Sequence, residues 1–166
     1  MAKGKPAVRV RTTIKDVDKG YVDLMKRINA SKSASVEVGI MAGKGDAPKG
    51  AMTVLEVATI HEFGLGGMPE RSFIRGWFDV YQDVARKQIS AMLKSVVQGK
   101  RSKAQAMELL GVRWVAEIQK FIAVGTNLQP LERATILRKG SSVPLVDTGQ
   151  LKSAITYRVN VSGGAP

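Results

Sequence analysis

Two long helical patterns separated by a very short connection constrain this chain more than any other feature. Ile74, Trp77, Phe78, Tyr81, Val84, Ala85, Ile89, Met92, Leu93 and Val96 recur at helical spacing up to Gly99. Ser102 and Gln105 then form a capping box. Ala106, Leu109, Leu110, Trp114, Ile118, Phe121 and Ile122 carry the same period to a stop at Gly125. A connection as short as Gly99 to Arg101 makes the two helices an antiparallel hairpin.

Strand patterns flank the hairpin. Val8, Val10, Thr12 and Ile14 alternate with Arg9, Arg11 and Thr13, which predicts a half-buried strand. Val17, Tyr21, Leu24, Met25 and Ile28 predict a helix over about 16–29, and Val36, Val38 and Ile40 a second strand over 35–41. Residues 42–50, dense in Gly, Lys and Pro, read as a flexible, solvent-exposed loop. Thr53 with Glu56 starts a short helix that runs to about Phe63, with Gly64 placed as its left-handed C-cap. Ser72 is the natural N-cap of the first long helix.

Beyond the hairpin come a turn at Asn127–Pro130 and a brief helix, Leu131 to Lys139, stopped by Gly140. Asp147 can cap a helical turn through Gln150 to Ala154, before Ile155, Tyr157, Val159 and Val161 alternate as a last strand. The expected class is α+β: a small antiparallel or mixed sheet of about three to four strands, packed on the long hairpin plus short helices. One domain spans 1–166, with a flexible basic arm at 1–7, a globular core at 8–161 and a flexible tail at 162–166.

Composition limits the chemistry. With no cysteine and one histidine, His61, the chain has no thiol chemistry and few options for a transition metal. No apolar run approaches the ~20 residues of a membrane span, and the N-terminus lacks the apolar core of a signal peptide, so cytoplasmic synthesis is expected. The net charge of +12 suits nucleic acid or an acidic neighbour. Aromatics make up 5% of residues, too few for a base-stacking single-strand binder.

Three motifs invite an enzymatic reading and fail it. Val146-Asp147-Thr148-Gly149 is the loop of an aspartic protease, but 19 residues follow Asp147, too few for the barrel such a site requires. Helix capping is the better reading of Asp147. Gly39 to Gly45 has three residues between its first two glycines where a phosphate loop has four, and Gly45 replaces the hydroxyl after Lys44. His61-Glu62 lacks the second histidine of a zinc protease, since position 65 is Leu, so His61 reads as a packing or capping residue. No catalytic residue, metal ligand or cofactor is expected.

A series of motifs in fixed order carries a resemblance. Val36-Glu37-Val38-Gly39-Ile40 is followed by Ile60-His61-Glu62-Phe63-Gly64, a glycine loop, and Pro69-Glu70-Arg71-Ser72-Phe73 at the head of a long helix. Then come Pro130-Leu131, Thr135-Ile136 and Arg138-Lys139-Gly140, and finally Pro144-Leu145-Val146-Asp147-Thr148-Gly149 with Leu151 and the Tyr157 strand. Over roughly 35–160 the chain resembles the neck, or tail-completion (virion morphogenesis, head–tail joining), proteins of tailed bacteriophages. Glu70 departs from the family, which often has a small residue or second proline there.

The resemblance implies a non-enzymatic virion component, made in the host cytoplasm, that forms a ring at the head–tail junction. Its partners would be copies of itself, tail-terminator or tail-tube subunits, head-connector subunits and, by charge alone, channel DNA, with no membrane. Gly64, Leu65, Gly66, Gly67, Met68, Arg71 and Arg75 are the candidate assembly contacts. Arg71 and Arg75 are expected on the first turns of the long helix. There they oppose its dipole and call for a carboxylate from Glu62, Glu70 or a neighbour. Lys3, Lys5, Arg9 and Arg11 are candidate contacts to DNA or an acidic partner. The alternative function is a small basic protein that binds nucleic-acid backbone without sequence preference.

Overall fold

The computed structural model describes residues 18–29, 33–49, 51–140, 142–145 and 149–163. The expected strand over 8–14, the arm residues Lys3, Lys5, Arg9 and Arg11, and the Asp147 cap lie outside the described residues. The elements run α1 (Tyr21–Asn29), β1 (Ser33–Ile40), β2 (Pro48–Lys49), β3 (Met52–Thr53), α2 (Val54–Phe63), α3 (Ile74–Val97), α4 (Lys103–Val124), α5 (Arg133–Lys139), α6 (Gln150–Ala154) and β4 (Ile155–Ser162). The class is α+β.

α3 and α4 form the hairpin. Its inner face joins Phe73, Trp77, Ala85, Ile118, Phe121 and Ile122 in one buried cluster, to which Leu128, Leu151 and Ile155 add from the later elements. Trp77 packs on Trp114 at 6.0 Å between ring centroids, and Tyr81 meets Phe121 edge-on at 6.3 Å. Periodicity suggested one unbroken helix. Instead α3 breaks its helical geometry at Tyr81 (φ −114°, ψ 16°). A buried polar relay fixes the register of the hairpin. Trp114 Nε1 donates to Gln88 Oε1 at 2.7 Å, and Gln88 Nε2 donates to Glu117 Oε1 at 2.8 Å. A slip of one turn would leave these groups unpaired in the interior.

Among the described residues there are two antiparallel pairs, β1–β4 and the two-residue ribbon β2–β3, rather than one sheet of three to four strands. Alternation explains how β1–β4 sits. Val36 pairs with Val159 and Val38 with Tyr157, which puts these side chains on one face. That face lies against α4. Glu37, paired with Arg158 at 2.7 Å, marks the polar face. Tyr157 approaches α4 so closely that a Cβ at Gly111 would stand 2.3 Å from its ring.

Three local expectations are corrected. α1 starts at Tyr21 and not at residue 16, because the Asp18 carboxylate accepts from the backbone N–H of Gly20 (2.9 Å) and Tyr21 (2.6 Å). The described part of the expected loop, 42–49, is folded and not loose. Gly43 N donates to Asp46, Leu55 N donates to Gly45 O, and Gly45 is buried, with Ile40, Leu55 and the Met41 carbonyl 3.2 Å from where a Cβ would stand. α5 begins two residues later than expected, at Arg133.

Candidate functional site

The joint between α2 and α3 is densely hydrogen-bonded. α2 is framed locally, as its sequence dictates. Thr53 and Glu56 complete the capping box, and Gly64 closes the helix at φ 65°. Gly64 meets two demands together, since a side chain there would also stand 3.1 Å from the backbone nitrogen of Glu70.

The last turn of α2 carries Glu62, 7% exposed, and this carboxylate is the true cap of α3. Its Oε2 accepts from the backbone N–H groups of Phe73 (2.8 Å) and Ile74 (3.1 Å). Its Oε1 accepts from Arg75 N (2.9 Å) and from Ser72 Oγ (2.7 Å). A negative group thus sits on the positive end of a 24-residue helix, and three orphan donors are satisfied at once. Ser72 was the expected N-cap. It shares the work, its hydroxyl accepting from Gly76 N at 3.1 Å, while Glu62 takes the first three amides.

The two candidate arginines part company. Arg75 lies on the first turn as expected and meets both expected carboxylates, Glu62 Oε1 at 3.4 Å and Glu70 Oε1 at 2.9 Å. Its guanidinium also stands 4.7 Å over the Phe63 ring. Half of its side chain remains exposed. Arg71 precedes α3, off its first turns, and is 4% exposed, so little of its side chain is presented to a neighbour. Its amide donates to His61 O (2.8 Å), and its guanidinium to the carbonyls of Gln129 (2.8 Å) and Pro130 (3.1 Å). Burial lowers its pKa from the ordinary arginine value, with the charge of Glu132 acting in the opposite direction. It therefore ties the corner to the segment after α4.

Between these bonds the chain turns through Gly66 (φ 64°) and Gly67 (φ 77°), and Met68 N closes the turn on Leu65 O at 3.2 Å. The turn displays apolar side chains. Phe63, Leu65 and Met68 are 54, 48 and 44% exposed, so the loop half of the candidate set is accessible while Arg71 is not.

A cleft of about 580 Å³ opens behind this loop, lined by Lys49, His61, Met68, Arg71, Glu132 and Leu145 among others. His61 is half-buried there, in keeping with a packing role. Glu132 is the one carboxylate among the described residues that line the cleft. No group of three His, Cys, Asp or Glu side chains among the described residues could hold a metal ion, and no described helix is long and apolar enough to cross a membrane. No family model, curated protein or solved structure matches this chain.

Proposed function

We propose that this chain is a structural component of a tailed-bacteriophage virion, one subunit of the neck ring that completes the tail and joins it to the head connector. The corner between α2 and α3 carries the reading. The stretch Ile60 to Arg75, one of those that carry the resemblance, is braced through Glu62, Arg71 and Arg75, and it displays an exposed apolar turn. A braced turn loses little freedom when it docks, so its apolar area becomes affinity and not ordering cost. Ring subunits meet head-to-tail through unlike surfaces, and a protruding corner suits that geometry.

The test pairs assembly with folding. Leu65→Asp combined with Met68→Asp places charge on the exposed turn without touching the braces. The isolated subunit keeps its melting temperature, while rings in electron-microscopic class averages and joining of tails to heads are lost. Rings that form normally in the double variant refute the corner as the contact. Complete, infectious virions made without the chain refute the function.

A further inference from the structure

We infer that the turn of the α3–α4 hairpin, together with the C-terminal end of α1, is a docking surface for the phosphate backbone of duplex DNA. Two stretches remote in sequence converge there. Lys103 Nζ donates to Ile28 O at 2.6 Å, which ties the end of α1 to the start of α4. Gly99, at φ 72°, leaves the space that the Arg27 guanidinium occupies, because any side chain at 99 would collide with it. Arg27 is thereby held beside Arg101 and Lys103, with Lys100 in the same turn and Lys94 on the last turn of α3, while Lys26 lies 4.0 Å from the Asp23 carboxylate. Asp23 and Glu108 are the acids of the same stretches (residues 21–29 and 94–108).

Four arginines of the body are paired in place: Arg75 with Glu62 and Glu70, Arg86 with Asp83, Arg113 with Glu117 and Arg158 with Glu37. Exposed lysines such as Lys87 and Lys120 stand singly on the body, so what sets the end of the hairpin apart is the density of its cations. Lys94, Lys100 and Arg101 are exposed and have no carboxylate within ion-pair reach among the described residues. Unneutralised cations concentrated at one end attract a polyanion and lose that attraction to salt.

The side-chain types favour nucleic acid over an acidic protein. The cluster is dominated by lysine, a residue depleted at protein interfaces, and contains no aromatic anchor. The missing aromatic also removes base stacking and with it single-strand binding. Point charges that track phosphates without reading bases remain. The inference does not depend on the virion reading, since it concerns the isolated chain.

The experiment measures binding of the full chain to a fluorescently labelled duplex of arbitrary sequence by anisotropy, as salt is raised from about 50 to about 200 mM. Lys94→Gln, Lys100→Gln and Arg101→Gln together remove three phosphate contacts. The slope of log affinity against log salt then becomes shallower by about 2.7, and the same rise in salt costs the wild type about 40-fold more affinity than the variant. Neutralising three cations of the body, Arg86→Gln, Lys87→Gln and Lys120→Gln, leaves the slope within about one of wild type. Equal losses in both triple variants would mean bulk charge and overturn the proposal. An unchanged slope in the tip variant, with loss on replacing Lys3, Lys5, Arg9 and Arg11, assigns binding to the arm and overturns it too. So does tip-dependent binding of polyglutamate that exceeds binding of the duplex. Circular dichroism confirms that each variant is folded, and a single Lys100→Gln change, expected to flatten the slope by about 0.9, serves if the triple variant is not.

Discussion

Replacing Glu62 with Gln isolates the corner's main brace, because the amide keeps the shape and removes the charge. The carboxylate accepts Phe73 N and Ile74 N on one oxygen, and Arg75 N and Ser72 Oγ on the other. Whichever oxygen becomes the NH2 group, two donors lose their acceptor, and one side of the cap becomes donor against donor. Two lost bonds cost about 1–1.5 kcal/mol each, from an ordinary bond up to the low end for charged acceptors, and the lost charge at the helix terminus adds about 0.5–1 kcal/mol. The expected total is about 3 kcal/mol, a fall in melting temperature of about 6–12 °C for a chain of this size. Thermal and urea denaturation followed by circular dichroism measure it. Glu70→Gln is the control. It breaks an ion pair whose side chains are 50 and 56% exposed, worth under about 1 kcal/mol. A Glu62→Gln variant that melts within about 2 °C of wild type, or no lower than Glu70→Gln, refutes the capping argument.

Gly111→Ala should cost about 3 kcal/mol by forcing the Tyr157 ring off α4, visible as lost near-ultraviolet dichroism before the helices melt. Gly64→Ala combines a positive φ with a 3.1 Å approach to Glu70 and should cost about 2 kcal/mol. Gly66→Ala, where nothing lies within 4 Å of the new Cβ, should cost about 1 kcal/mol, and equal urea midpoints for the two would contradict this. The Glu56 carboxyl is held below its ordinary value of 4.5, first by the Thr53 backbone N–H and then by the Thr53 hydroxyl. Its folded pKa is depressed, so its contribution is complete above that ordinary value and fades as pH falls through the lower folded one. The stability gap between wild type and Glu56→Gln should accordingly close on acidification, and a gap that widens reverses the sign.

What could be read from the sequence was whatever depended on neighbours a few residues away. Thr53 with Glu56, Ser102 with Gln105, and the left-handed glycines 64, 125 and 140 stand where local spacing puts them. Glu62 was legible as a counter-charge for Arg75, because both lie near one helix terminus. Its second role, as acceptor for three backbone amides across ten or more residues, has no periodic signature. Arg71 was misplaced for the same reason. Its partners are carbonyls 58 and 59 residues away, and a carbonyl is carried by every residue, so nothing in the sequence marks those two. The relay through Gln88, Trp114 and Glu117 and the break at Tyr81 are likewise consequences of which faces meet. Periodicity shows that a face is apolar and does not name the residue opposite.

The Glu62 cap also has a mechanical consequence. It fixes α2 to the root of a helix of 24 residues, about 36 Å long, whose far end is the basic turn. The corner therefore sets the direction of the first two turns of α3, and the break at Tyr81 stands between it and the cations at the far end. A neighbour docked on Leu65 and Met68 would meet a fixed root, with the change of course along the helix confined to that one residue.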